Sequence, residues 1–427
     1  MRLQISVPLL LLLAACGPQQ RQPAAGSADF SLPPGFEARV FAEGVGKGSR
    51  HLAIRDNGDV YVKLERLREG KGIVALRDSD GDGKADIQEA FGDYSGTGIE
   101  LFQNYLYASS DTCIYRYALA EGQLLPASLE GEKIAGGFPV QEEHASKTFA
   151  IAPDGSMYVN VGAPSNACQV ENRQPGSPGQ DPCPLLEWQA GIWKFSATQP
   201  GQTQRASSSR YASGIRNAVA ITWNSSVGSL YVMQHGRDQL SQMKPEVYDD
   251  SLNAFLPAEE FFQVSEGDFF GWPYCYFDPF QDRKLLGPEY GGDGQASGRC
   301  DSAKRPLVGF PGHMAPNDLL FYSGSQFPEK YRNGAFIAFH GSWNRAPLPQ
   351  GGYLIAFVPM REGRPAGEWE IFADGFKGVA MLENPNDARF RPCGLAQGPD
   401  GSIYVCDSQQ GRIWSIRYTG AQTLASH

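Results

Sequence analysis

Glu142–Gly162 reads EEHASKTFAIAPDGSMYVNVG, and its second half has the pattern of a β-hairpin. Phe149-Ala150-Ile151 and Met157-Tyr158-Val159 flank Pro153-Asp154-Gly155, and Asp-Gly between alternating apolar runs is a strong local hairpin signal. His144 stands just before the first strand, so a sheet built here carries an imidazole at one rim. The same unit recurs as HLAIRDNGDVYV from His51, VAITWNSSVGSLYV from Val219 and GLAQGPDGSIYVCD from Gly394. Degenerate copies are LFQNYLYASSDTCIYRY from Leu101 and GAFIAFHGSWNR from Gly334. Most are followed by another short strand, at Ile73–Arg77, Gly191–Phe195, Tyr353–Val358 and Arg412–Arg417. Six strand–hairpin–strand units at wide, irregular spacing predict an all-β fold, a six-bladed β-propeller with long inter-blade insertions. A β-sandwich would carry fewer strands and no repeat.

Outside this domain, residues 1–16 read as an export signal: Arg2, a short apolar run, then Leu13-Ala14-Ala15-Cys16. The run is too short to span a bilayer. LAAC resembles a bacterial lipobox, which implies cleavage before Cys16 and lipidation of its thiol; the alternative is an ordinary signal peptide with an incidental cysteine. Residues 17–30, rich in Gln, Pro, Ala, Gly and Ser, read as a flexible tether, residues 31–419 as the propeller and 420–427 as a tail. The expected location is the cell envelope, at the periplasmic face of the outer membrane, held by the lipid anchor alone. A net charge of −10 argues against nucleic acid as a partner. In an oxidising compartment the cysteines after Cys16 can pair. Short spacings suggest Cys168–Cys183, Cys275–Cys300 and Cys393–Cys406, with Cys113 left free.

Asp78, Asp80, Asp82, Asp86 and Glu89 occupy positions 1, 3, 5, 9 and 12 of an EF-hand-type loop, with Gly83 at 6 and the Lys84 carbonyl at 7. Hard oxygen ligands at that spacing suit a structural calcium ion; a solvated acidic turn is the alternative. A second pattern concerns blade entries. His144, Arg216-Asn217 and the pair Arg389 and Arg391 each precede the first strand of a repeat. In a propeller such positions converge on the central channel at one rim. An imidazole, an amide and three guanidiniums there point to a polyanionic small ligand, since Arg presents a planar fork to carboxylates; taken singly, each Arg is as well explained by a surface ion pair. Gly271-Trp272-Pro273 forms a turn that can aim successive carbonyls at one calcium, or a plain aromatic-rich loop. Trp343 beside Arg345 suits stacking on a sugar face, or a buried packing role.

Together EEHASK, SGIRNA, GDFFGWP, AFHGSWNR and DARFRPCGLAQGPDG, in that order, resemble the soluble quinoprotein sugar dehydrogenases, nearest the sorbosone and pyranose dehydrogenase branch. The resemblance covers about residues 32 to 418. It implies a pyrroloquinoline quinone cofactor at the channel mouth and oxidation of a sugar, polyol or aldehyde with His144 as general base. It implies that Arg216, Asn217, Arg345, Arg389 and Arg391 hold the quinone and that Gly271, Trp272 and Pro273 supply carbonyls to a calcium. Arg345 stands where the family often has lysine. Glu143, beside the base where relatives tend to carry aspartate, and Trp343 would meet substrate. Electrons would leave to an external acceptor, a quinone or a cytochrome, because the chain carries no haem-attachment motif. Two other readings stay open: a calcium-dependent lactonase-type hydrolase, which needs carboxylates converging on a central metal, and a non-catalytic propeller that binds a glycan or partner.

Overall fold

A computed structural model describes residues 30–420. The export signal, Cys16, most of the tether and the tail after Gly420 lie outside the described residues. Six blade sheets, antiparallel but for Gln202–Thr203, which joins blade 2 in parallel, have as innermost strands Ser49–Ile54, Ile99–Phe102, Phe149–Ile151, Ala220–Asn224, Pro316–Phe321 and Pro392–Gln397, blades 1 to 6 in that order. Each innermost strand packs against those of its two neighbours, and the strand of blade 6 against that of blade 1, which closes the ring into a six-bladed propeller.

The hairpin at Glu142–Gly162 forms as the pattern predicts. Phe149 pairs with Val159, Ala150 with Tyr158 and Ile151 with Met157. Its turn holds because Asp154 Oδ1 accepts from Ser156 N at 2.8 Å and Gly155 sits at φ 82°, a left-handed position that a side chain would strain. Two features differ from the expectation. GAFIAFHGSWNR contributes the second strand of blade 5, Ala335–Phe339, and not its first. Blade 6 takes its outermost strand from the chain start: Phe36–Ala42 pairs with Ile413–Tyr418. That pairing joins the two ends of the domain and leaves no gap in the ring. An aromatic cluster beneath it, including Phe30, Phe36, Phe327, Tyr331, Phe336, Phe372 and Trp414, is buried between blades 5 and 6.

Besides residues 235–258 of blade 4, which carry His235 and Asp238, two long insertions reach the rim that carries the blade entries. One lies in blade 3 between Ser156–Val161 and Gly191–Ser196 and contains the Cys168–Cys183 bridge. The other lies in blade 4 between Glu259–Val264 and Val308–Phe310 and contains the Cys275–Cys300 bridge. A buried Lys284–Glu260 ion pair ties the second insertion to its blade.

The third expected bridge is a correction: Cys393 and Cys406 are free, buried thiols. Pro392 pairs with Asp407 and Gly394 with Cys406, so Cys393 falls in a β-bulge and does not face Cys406 across the ladder. The two sulfurs turn instead to blade 1 and blade 5. Cys393 Sγ accepts from Asn317 Nδ2 at 3.5 Å and lies 3.8 Å from Arg50 Nη1, while the Cys406 thiol donates to the Arg50 carbonyl at 2.5 Å. Cys113 is also free and buried.

Candidate functional site

The six entry segments meet at one rim around two chambers. The smaller, about 430 Å³, is lined by Glu143, His144, Arg173, Arg216, His235, Asp238, Glu259, His313, Trp343 and Asn344 among others. The larger, about 720 Å³, holds four cations, Lys47, Arg50, Arg66 and Arg391, against three acids, Glu65, Asp111 and Glu142. His144, His235, Ala315 and Trp343 line both and form the wall between them.

His144 owes its place to the strand entry and to a glycine. It sits at φ 54°, and a Cβ on Gly162 would lie 2.7 Å from its Cβ and 2.8 Å from Asn217 Oδ1. Only glycine lets these two side chains lie together. His144 Nδ1 is 2.5 Å from the Ala163 carbonyl. A carbonyl can only accept, so Nδ1 carries the proton and Nε2 is left with its lone pair. Burial, then Arg216, lower the imidazole from 6.5 to about 3, so it is neutral through the physiological range. Asn217 Oδ1 accepts from Asn160 Nδ2 at 3.0 Å, which leaves the Asn217 NH₂ for the larger chamber.

Asp238 is the hub of the smaller chamber. Its Oδ2 accepts from Arg216 Nη2 at 2.8 Å and Arg173 Nη1 at 3.0 Å, and its Oδ1 accepts from Asn344 Nδ2 at 2.6 Å. Burial pushes this carboxyl up, but Arg216, His313 and Arg173 more than offset that and hold it well below the usual carboxylate range. Arg173 continues the chain of charge to Glu143, donating at 3.3 Å from Nε and 2.9 Å from Nη2. Hydrogen bonding to Arg173 lowers Glu143 in turn. Glu259 accepts from Gly236 N at 2.9 Å and Ala315 N at 3.2 Å, and burial raises it to about 7.

The larger chamber is different. Arg391 donates to the His340 and Gly341 carbonyls at 3.1 and 2.7 Å. Arg50 is 3.6 Å from Glu65, and its Nε, like that of Arg216, is buried with no hydrogen-bond partner among the described residues. The orphaned Arg50 donor beside a cation-rich chamber fits an anionic ligand with several acceptor oxygens.

The sequence-predicted residues divide accordingly. His144, Glu143, Arg216, Asn217, Arg391 and Trp343, which is 60% exposed, line the chambers. Arg345 and Arg389, expected at the cofactor, line neither chamber. Arg345 is buried in its own loop, donating to the Pro349 and Gly312 carbonyls at 3.2 and 3.3 Å over the Phe255 ring. Arg389 is exposed and stacks over Phe390. Gly271, Trp272 and Pro273 lie one layer behind the Ser213–Asn217 segment, where Trp272 N donates to Gly214 O at 3.0 Å. The Gly271 carbonyl is taken by Cys275 N at 2.9 Å; those of Trp272 and Pro273 accept no hydrogen bond among the described residues. In the acidic loop, Asp78, Asp80 and Asp82 place carboxylate oxygens within 4.8 Å of one another. Asp86 instead accepts from Ser79, the Lys84 amide donates to Asp82 at 2.8 Å, and Glu89 sits on the outer strand of blade 1 opposite Ala75. Sequence reasoning missed Arg50, Arg173, His235, Asp238, Glu259, His313, His340 and Asn344. The entry rule applied to HLAIRDNGDVYV would have found Arg50, one residue before the repeat.

A TrAA12-like family model matches residues 30–419. A pyrroloquinoline quinone-dependent pyranose dehydrogenase of Coprinopsis cinerea is 29% identical over 236 residues, 48% of this chain and 30% of that protein; the chain spans less than half the length of the curated relatives it matches. The holo form of the PQQ domain of the Coprinopsis cinerea pyranose dehydrogenase superposes with a TM-score of 0.73 at 19% identity, covering 92% of this chain and 98% of that one. The calcium structure of a Trichoderma reesei family AA12 enzyme superposes with a TM-score of 0.73 at 17% identity, covering 91% and 97%. At these identities the likeness to the solved structures is one of fold.

Proposed function

The chain belongs to the TrAA12-like family, and on that premise we propose that it is a pyrroloquinoline quinone-dependent oxidoreductase acting on a sugar or related polyol. The observation that carries the reading is His144, a neutral imidazole with a bare Nε2, on the wall between a cation-rich chamber and one whose acids and arginines are paired. The relatives' printed names supply the cofactor class. The residues present fit it: Arg50, Arg391 and the free amide of Asn217 suit a polycarboxylate. The unengaged carbonyls of Trp272 and Pro273 are hard ligands of the kind calcium takes, but they lie one layer behind the chambers and line neither. When bound, the quinone supplies the two-electron acceptor and calcium polarises it.

The chain's own residues supply the rest. A sugar hydroxyl has a pKa far above 7, so loss of hydride from its carbon requires a base. His144 Nε2 takes that proton while Nδ1–H remains on Ala163 O, which keeps the ring oriented. Asp238 holds Arg216 and Arg173 in place, and Glu143 and the exposed Trp343 offer a hydrogen-bond acceptor and a stacking face to a sugar ring. A lactonase would need carboxylates gathered on a central metal, but Glu143 and Asp238 are each committed to arginine. We read LAAC as a lipid anchor in the cell envelope, the Asp78–Asp82 loop as a separate structural calcium site, and the electron acceptor as a quinone or a cytochrome.

Reconstitution tests the reading. The protein is mixed with pyrroloquinoline quinone and Ca²⁺, and the visible spectrum and dye reduction are recorded with a panel of aldoses. The expected result is saturable quinone binding and sugar-dependent dye reduction. No quinone binding at micromolar concentration with Ca²⁺ present would sink it, and lactone hydrolysis and glycan binding would be assayed next.

A further inference from the structure

Five of the chain's six histidines, at 51, 144, 235, 313 and 340, surround the channel, and their hydrogen bonds distinguish them. His51 is buried and gives Nε2–H to the Asn317 carbonyl at 2.7 Å. His313 has both nitrogens engaged, Nε2 with the Asn253 carbonyl at 2.7 Å and Nδ1 with Asn344 at 3.2 Å. His340 meets Ser408 Oγ at 2.6 Å and lines only the larger chamber. His235 resembles His144. It is half-buried, lines both chambers, and donates Nε2–H to the Pro316 carbonyl at 2.8 Å, so its Nδ1 has a lone pair and no partner among the described residues. Its main-chain N–H is tied to Asn217 O at 2.9 Å, which ties its position to that of the cofactor-facing amide.

The charged and titratable groups that act on this ring are Arg216, Arg50 and Asp238, with His144 and His340 as its imidazole neighbours. Burial is the main cause that lowers His235 to about 4, and Arg216 and Arg50 add to it. The ring is therefore neutral, and Nδ1 can accept a hydrogen bond but cannot donate one. An acceptor-only nitrogen beside a base, on a wall shared with an exposed tryptophan, calls for a hydroxyl on the ligand.

We infer that His235 Nδ1 accepts a hydrogen bond from a substrate hydroxyl vicinal to the one that His144 deprotonates, so that the site selects a 1,2-diol unit of a cyclic sugar. The inference rests on the proposed sugar oxidation and names its substrate class. It makes His235 a specificity residue, not a second base: the proton lost in oxidation still goes to His144.

The test compares D-glucose and D-galactose, each against its 2-deoxy analogue, in the reconstituted wild type, H235L and H235Q. The wild type is expected to favour the hydroxylated sugar in kcat/KM by roughly tenfold or more, the scale of one hydrogen bond to a substrate hydroxyl. In H235L that ratio falls to near one. H235Q, whose amide offers both a donor for Pro316 O and an acceptor, restores it. A ratio in H235L equal to that of the wild type overturns the inference. A second measurement needs no cofactor: diethyl pyrocarbonate should modify His235 in the unloaded protein, mapped by peptide mass, and saturating D-glucose or D-galactose should slow that reaction. Lack of protection by either sugar also overturns it. Absence of any quinone-dependent turnover counts instead against the dehydrogenase reading, and sugar protection then decides the role of His235 alone.

Discussion

The two chambers share a wall and differ in how their charges are partnered. In the smaller, Glu143, Asp238, Arg173 and Arg216 form one continuous ion-pair chain. In the larger, Arg50 and Arg391 rest largely on carbonyls, thiols and a distant carboxylate, and Arg50 keeps a buried donor without a partner. An ion-paired network, with only the Arg216 Nε left unpartnered, suits a neutral, hydroxyl-rich ligand. An under-partnered cation cluster has a cost in the empty protein that an anion removes on binding. Under the proposed function, this difference puts the sugar on one side of His144 and the anionic quinone on the other.

The sharpest way to break this division is His144→Ala. It should lower kcat by about 10² to 10⁴, the usual contribution of a general base, while the visible spectrum still reports bound quinone; loss of quinone binding as well would place His144 on the cofactor side only. Asp238→Ala comes next. It leaves Arg216 and Arg173 without their shared carboxylate, and breaking a buried pair costs about 3–5 kcal/mol, read as a large fall in melting temperature. Arg50→Ala should weaken quinone binding about tenfold to a hundredfold, in line with one charge-assisted hydrogen bond, and leave the KM for sugar at saturating quinone nearly unchanged. An equal effect on both would erase the division. The smallest effect is expected of Arg389→Ala, exposed and outside both chambers, whose quinone affinity should stay within about twofold of wild type, as for most surface substitutions.

Acid titration sharpens the same wall. His144 at about 3 and His235 at about 4 both lie below the ordinary 6.5, so kcat/KM should hold at pH 5.5, where an ordinary histidine base would already be mostly protonated. Stability follows the other limb of the linkage. The unfolded chain binds these protons below 6.5 and the folded one does not, so each site contributes a loss of stability as pH falls from 6.5 towards its folded value. Glu259, raised to about 7, acts with the opposite sign and contributes a loss as pH rises from its ordinary 4.5 towards 7. A melting temperature recorded from pH 4 to 8 in His235→Leu should show a weaker acid decline than the wild type.

Much of the architecture was legible because a propeller repeats. Alternating strands around Asp-Gly turns need only local patterning, and the entry rule placed His144, Arg216, Asn217 and Arg391 together without coordinates. The rule failed where a residue's direction depends on its loop. Arg389 and Arg391 are two positions apart, yet only Arg391 reaches the channel, because Arg389 lies on the outer side of a segment packed on Lys377 and Phe376. Arg345 lies beside Trp343, but its loop folds back on Gly312 and Pro349. The Cys393–Cys406 pairing fails on a one-residue bulge, which spacing does not reveal.

From its residues alone the chain carries an all-β repeat, six blade units, the position of a base before the third blade and the order of the motifs that mark its family. These are local properties, set by strand alternation and turn chemistry. Only the tertiary structure decided which cations face the channel, that Asp238 and Arg173 complete the smaller chamber, and that His235 stands beside His144 with a bare nitrogen. Those groups come from different blades and from insertions with no repeat of their own. Their meeting depends on closing the ring, and ring closure brings together residues that no sequence spacing relates.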